Sequence, residues 1–438
     1  MNTLDAAFQN IYLIFIIYGI FILTYGLLAK PGCRGKSMAI AVIDHGSLIG
    51  LAAILSMPLI SPFHVDIIQV LTGVFVEVFC AAVFFMSSIQ IINFLRAGSK
   101  IIPDQYVWMM IFCKLFFFVA NYMASDGQYG IFSDDSRLDF IKISPIISRT
   151  WYLDMIIDFI IFLNISLKCL VQKKIKAADL ISTISIIGIG FLTGSKGASF
   201  LMITYAMLFV YAAFPRIVSK ISTSTLVFYA LILSGIIFIY IYFLSESLGV
   251  SVGDQIRLTL SRFLLSADAR IMAFDPNVNE FILSQPHGVF LSELFRGPAR
   301  ILGLSTAEFP IGVYQYQYQA GTTNYVGSTN QLSAMFIIYG GYFWVAEFFI
   351  VSSLVWLTYK FLKYSIHSNK LAVRWVSAAS FFLLSDTLCK GFDAFLQLLP
   401  ICILLIIALI FFPKFRWMSH GVRVPVQSRS PNSLQRIL

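Results

Sequence analysis

The sequence predicts an all-α, polytopic membrane protein of about eleven transmembrane helices, with one long external loop that contains short helices. Three observations predict it. Of the 438 residues, 58% are hydrophobic and 12% are charged, whereas soluble domains carry roughly 25% charged residues. Apolar stretches of about 18 or more residues recur along the whole length, the signature of membrane spans. The basic residues gather in alternate short connections between those stretches, the pattern that sets membrane orientation.

The apolar stretches are unbroken, as in Phe21-Ile22-Leu23 and Leu404-Leu405-Ile406-Ile407. A membrane β-barrel would need short alternating strands instead. The expected helices are 9–29, 38–60, 67–95, 104–124, 152–171, 178–194, 197–214, 223–244, 331–359, 372–389 and 393–412. No basic segment precedes the first run and no small-residue cleavage site follows it, so it is read as a retained helix rather than a signal peptide. The sixth and seventh helices meet at Gly194-Ser195-Lys196-Gly197, and the last two at Lys390-Gly391.

One set of connections holds Lys30, Arg34 and Lys36, then Arg96 and Lys100, then Lys168, Lys173, Lys174 and Lys176, then Arg216 and Lys220. It continues with Lys360, Lys363, Lys370 and Arg374 and with the tail from Lys414 to Arg436. With eleven spans all of these fall on one side, which puts the N-terminus outside (periplasmic) and the C-terminus in the cytoplasm. The organisation expected is residues 1–244 with eight spans, 245–330 as the external loop, 331–412 with three spans, and 413–438 as a basic tail.

The net charge of +9 does not indicate nucleic acid, because the basic residues flank apolar spans. There they act as topology signals and contacts with anionic membrane lipids. The six cysteines are scattered without a CxxC pair, and they read as small packing residues rather than as a metal site or disulfide framework.

The long loop is the richest in chemistry. Residues 254–272 read as an amphipathic helix with Leu258, Leu265 and Met272 on an apolar face, laid on the outer membrane surface. On that helix Arg262 and Arg270 fall within about 80° of each other, while Arg257 points elsewhere. Guanidinium groups bind phosphate oxygens in pairs and stay charged, so a lipid diphosphate headgroup suits them. The alternative is pairing with lipid headgroups in general or with Asp254 and Asp268. Arg296 and Arg300, flanking Gly297-Pro298, are a second pair.

Lys196 between glycines could sit in an anion-binding nest of backbone amides or simply snorkel from a helix hairpin. The run Tyr314-Gln315-Tyr316-Gln317-Tyr318-Gln319 offers aromatic faces and amides suited to sugar rings, or else forms an extended interfacial segment. His287, Glu280 and Glu293 are external groups able to take a proton. Asp44, Glu77, Lys114, Asp154, Asp158, Glu347 and Asp386 lie in or near spans, where ionisable groups pair or serve an ion path. Asp154 and Asp158 share one helix face, and Lys114 is a candidate partner for them.

This plan, many spans with a large external loop late in the chain, resembles the O-antigen polymerase and ligase superfamily. Leu192-Thr193-Gly194-Ser195-Lys196-Gly197-Ala198 resembles its Gly-Ser-Arg-Gly turn, with lysine for arginine. Thr329-Asn330, separated from Gly340 by nine residues, resembles the ligases' His-Asn…Gly pattern with threonine for histidine. That departure points away from a ligase and towards the O-antigen polymerase (Wzy) family. No metal-ligand cluster is visible in the sequence, so no metal or other cofactor is expected. The resemblance implies a glycosyltransferase of the inner membrane. It implies transfer of a glycan from undecaprenyl diphosphate onto a lipid-linked oligosaccharide repeat unit, with a chain-length regulator protein as a partner. The expected roles are Arg262 and Arg270 on the departing diphosphate and Asp268, His287 or Glu293 as base. Lys196, Arg257, Arg296, Arg300, Tyr314, Tyr316, Tyr318 and Asn330 are expected to bind substrate. The alternatives are an O-antigen ligase and a flippase or transporter of the lipid-linked unit.

Overall fold

The computed structural model describes residues 3–28, 34–97, 101–127, 129, 150–172, 176–193, 198–214, 267–285, 311–320, 332–339 and 344–411. Every regular element among them is a helix. In chain order these are α1 (Thr3–Gln9), α2 (Ile11–Leu28), α3 (Arg34–Ile43), α4 (His45–Ile60), α5 (Ile67–Arg96), α6 (Asp104–Ala124), α7 (Thr150–Gln172) and α8 (Ala177–Leu192). They continue with α9 (Ala198–Ala213), α10 (Asp268–Met272), α11 (Pro276–Leu283), α12 (Ile311–Ala320), α13 (Leu332–Tyr339), α14 (Trp344–Ser365), α15 (Leu371–Lys390) and α16 (Phe392–Phe411). Among the described residues, five helices are long and apolar enough to cross a membrane: Ile67–Arg96, Asp104–Ala124, Trp344–Ser365, Leu371–Lys390 and Ala394–Phe411.

Helix α6 shows why a bilayer is the fitting solvent. Its outward stripe is Met109, Phe112, Phe116, Val119 and Met123, all exposed. Its buried stripe is Val107, Ile111, Lys114, Phe118 and Asn121. The charge and the amide face inward and large apolar side chains face outward, the reverse of a soluble amphipathic helix. Helix α15 is the opposite case: nearly all of it is buried, and it packs against α5, α7, α14 and α16 as the central helix of the bundle.

Helix ends follow local chemistry. The Asp66 carboxylate accepts the Ile68 N–H at 2.9 Å and starts α5. Pro103 precedes α6, and Asn164 brackets its entry by bonding both the N–H and the C=O of Ile102. At the far end of α5, Arg96 donates to Ala213 O at 2.8 Å, at the C-terminus of α9. Arg374 lies over the Phe94 ring, and Lys370 donates to the Ile410 carbonyl near the end of α16. Basic residues of two separate connections therefore meet at one end of the bundle.

Two expected helices are divided. The run 38–60 bends at Asp44, between α3 and α4, where the backbone leaves helical geometry (φ −86°, ψ 37°). The run 331–359 becomes α13 and α14, and these point in opposite directions. Ser333 meets Glu77, while a side chain added at Gly73 would meet Ile337. Along α13 the partners on α5 thus run backwards, so α13 is antiparallel to α5. Trp344 packs on Phe75, Phe348 on Phe79, and Tyr359 bonds Gln90, so α14 is parallel to it. Of the two, α14 is the one long and apolar enough to cross a membrane, and α13 is a separate short helix lying against α5. The expected helix 223–244 lies outside the described residues.

Candidate functional site

The expected surface helix of the loop is corrected where it can be seen. Residues 254–266, with Arg257 and Arg262, lie outside the described residues. Helix α10 begins at Asp268, and all five of its residues are buried. Its contacts are with α1, α4, α12 and α13. Burial wins because Arg270 has a charged partner inside the bundle, which removes the reason to stay at the surface.

That partner is Glu77 of α5. Arg270 Nε donates to Glu77 Oε1 at 2.5 Å and Nη2 donates to Oε2 at 3.1 Å, a two-point guanidinium–carboxylate pair. Both side chains are 1% exposed. Ser333 of α13 completes the site: its hydroxyl donates to Glu77 and accepts from Arg270 Nε at 3.2 Å. On the opposite wall is Gly50 of α4. A Cβ there would stand 2.5 Å from Arg270 Cζ and 2.9 Å from Cδ, so the absence of a side chain makes room for the guanidinium. Glu77 is ten residues into α5 (77 − 67), about 15 Å along its axis. The loop thus reaches well into the bundle.

Neighbouring contacts fasten the same segment. Asp275 caps α11 through the Asn277 N–H at 3.1 Å and accepts the Thr3 hydroxyl at 3.3 Å, tying in α1. Asn279 donates to Ala273 O at 2.8 Å. Buried Gln315 of α12 donates to Ala269 O at 3.0 Å. Asp268 is buried beside this socket, and its Oδ1 accepts the Ala269 N–H at 2.7 Å. Burial pushes its carboxyl up to about 7, against the pull of that N–H and of the Arg270 charge.

The Tyr/Gln run is also corrected. It is helical over Ile311–Ala320, not extended. Helical spacing puts Tyr314 and Tyr318 on one side, both against Phe281 at 6.4 and 5.3 Å between ring centroids. Tyr314 is buried and Tyr318 exposed. The alternating aromatic face and amide edge that a strand would present is therefore not formed. Tyr316 is on α12, with its side chain outside the described residues. Lys196, His287, Glu293, Arg296, Arg300 and Asn330 lie outside the described residues, and Glu280 is exposed on α11.

Two further polar groups occupy the bundle. At the α3–α4 bend, the His45 ring lies 3.3 Å from the Tyr205 hydroxyl. Ser47 contacts Cys389 at 2.9 Å, and Lys390 pairs with Asp386 at 2.7 Å. Between α6 and α7, Lys114 Nζ sits 2.6 Å from both Asp158 oxygens, the pairing that the sequence suggested. Glu77 was recognisable as a solitary acid in an apolar helix, and such an acid calls for a cation. Ser333 and Gly50 carried no such signal. Among the described residues no three His, Cys, Asp or Glu side chains converge as metal ligands. No protein-family model, no curated protein and no solved structure matches this chain.

Proposed function

We propose that the chain is a polysaccharide polymerase of the inner membrane, with eleven spans, a periplasmic N-terminus and a cytoplasmic C-terminus. It transfers a glycan from undecaprenyl diphosphate to a lipid-linked repeat unit at the outer face. The observation that carries this reading is the seating of the loop arginine Arg270 on Glu77, together with the resemblance in layout. A lipid diphosphate keeps its reactive bond at headgroup depth, so a catalytic loop must be held into the membrane bundle rather than hung above it. The ion pair does that holding.

In this reading Arg270 is a positioning residue, because Glu77 and Ser333 engage its guanidinium. Arg262, eight residues earlier in sequence, contacts the diphosphate. The acceptor hydroxyl oxygen attacks the anomeric carbon, and the bond from that carbon to the diphosphate oxygen breaks. The electron pair leaves with undecaprenyl diphosphate, whose new negative charge Arg262 stabilises. The hydroxyl proton goes to a base, with Asp268, His287 and Glu293 as candidates. Asp268, with its carboxyl raised to about 7, is matched to proton transfer near neutral pH.

A transporter of the lipid-linked unit is the second reading, and the bend at Asp44 favours it, since interrupted helices at mid-depth hold ions in transporters. The closed Arg270–Glu77–Ser333 socket favours the enzyme. Purified full chain in vesicles, given defined lipid-linked repeat units, separates them: longer lipid-linked glycans mean polymerase. Substrate crossing the bilayer without extension means transporter, and would overturn the proposal.

A further inference from the structure

We propose that the α6–α7 interface binds one exchangeable monovalent cation, a proton or sodium, on Asp154. The proposal does not depend on the reaction above. Lys114 spends its charge on Asp158, bonding both oxygens at 2.6 Å. Asp154 stands one helical turn away on the same face of α7 and is 4% exposed. Neither of its oxygens has a hydrogen-bond partner. Across the interface, Asn121 is 1% exposed. Its amide nitrogen donates to Thr150 Oγ1 at 2.9 Å, and its Oδ1 has no partner.

The helices are antiparallel, with Asn121 level with Thr150 and Lys114 level with Asp158. Asp154 is four residues from each of Thr150 and Asp158, so it lies about 6 Å along the axis from either contact. This interface therefore buries three acceptor oxygens that no donor meets, two on Asp154 and one on Asn121. One cation and two carboxylates leave this cluster one negative charge in excess.

Among the described residues, no other element supplies the missing charge. Lys168, ten residues further along α7 (168 − 158), is held by Asp104 of α6 and Asp179 of α8. From α9 and α15, Phe209 and Phe382 pack on Phe159. Tyr205 of α9 packs on Phe382 and reaches His45, and Asp386 of α15 pairs with Lys390. From α16, Gln397 accepts the Tyr152 hydroxyl at 3.3 Å. An unpaired carboxylate in such surroundings is strongly disfavoured, and one bound proton or hard cation on its oxygens removes the imbalance.

The test uses the thermal unfolding midpoint of the purified full chain, in choline or sodium buffers from about pH 5 to about pH 9. A ligand that binds only the folded chain raises the folding constant up to tenfold for each tenfold rise in its activity. The wild-type midpoint is expected to rise with acid, with sodium, or with both. A rise with sodium at fixed pH that Asp154→Asn removes identifies sodium; a rise with acid alone that Asp154→Asn removes, beyond the part due to Asp268, identifies a proton. Asp154→Asn removes the excess charge and should remove that part of the response. Asp158→Asn should do so too, because Lys114 is then free to pair with Asp154, and it serves if the first variant does not fold. A wild type indifferent to both, or variants that respond as the wild type does, overturns the proposal.

Discussion

Arg270 and Lys114 are both buried cations bound by two points to a carboxylate, yet their surroundings differ. Arg270 arrives from the segment after α9, and Glu77 lies 193 residues away in sequence. Lys114 and Asp158 sit on successive helices. Around Arg270 the site is saturated: Glu77 balances the charge, Ser333 bridges both groups, and Gly50 gives the guanidinium room. Around Lys114 a second carboxylate is left over. The first arrangement suits a fixed joint between loop and bundle, and the second suits an exchangeable ion. Burial of a salt bridge alone does not distinguish them; what decides is whether charge and hydrogen bonds close.

The largest effects come from breaking one side of the joint. Removing one partner of a buried ion pair costs about 3–5 kcal/mol, because the other charge is left uncompensated. Glu77→Gln and Arg270→Met should each lower the midpoint and the yield of purified protein by that order. The double variant should recover most of the loss, since two neutral groups of similar size need no pairing. A double variant as damaged as the sum of the singles would mean that the joint is not a closed pair.

Filling the opposite wall is a milder disturbance. Gly50→Ala puts a methyl group into the Arg270 side chain, and overpacking of this kind costs about 1–3 kcal/mol. The arginine is pinned by Glu77 and cannot swing away cheaply. If Gly50→Ala leaves stability unchanged in the wild type, the guanidinium is not held where the structure puts it. Made in an Arg270→Met background, the same change should cost less.

Asp268 gives a smaller, graded effect. Its carboxyl titrates near 7 in the folded chain against an ordinary 3.8. An acid with a raised folded value keeps its proton longer in the folded state, so stability is highest below about 4 and falls as pH rises towards about 7. The slope cannot exceed about 1.4 kcal/mol per pH unit for one proton. Thermal midpoints across that window should flatten in Asp268→Asn, and an unchanged slope would remove Asp268 from the list of candidate bases.

Much of the helical plan was legible in the sequence, because length and hydropathy report burial directly. The expected 104–124 and the observed Asp104–Ala124 coincide, and Ile67–Arg96 extends the expected 67–95 by one residue. The bends escaped, because hydropathy measures apolarity and not continuity. Asp44-His45 inside one apolar run and Gly340-Gly341 inside another were the available signals, since charge and paired glycine both weaken a helix there. The pairing of Lys114 with Asp158 was open to sequence reasoning because successive helices pack together. The Arg270 socket was not: Glu77, Gly50 and Ser333 come from three distant parts of the chain. The surface position expected for Arg270 failed for the same reason, since an arginine without a visible partner is assigned to water.

Chain extension by the purified full chain in vesicles, supplied with defined lipid-linked repeat units, tests the central claim most directly. The account predicts a ladder of longer lipid-linked glycans, lost in Arg262→Ala and restored in part by Arg262→Lys, which keeps the charge. No extension by folded wild-type protein, or a normal ladder in Arg262→Ala, would contradict it.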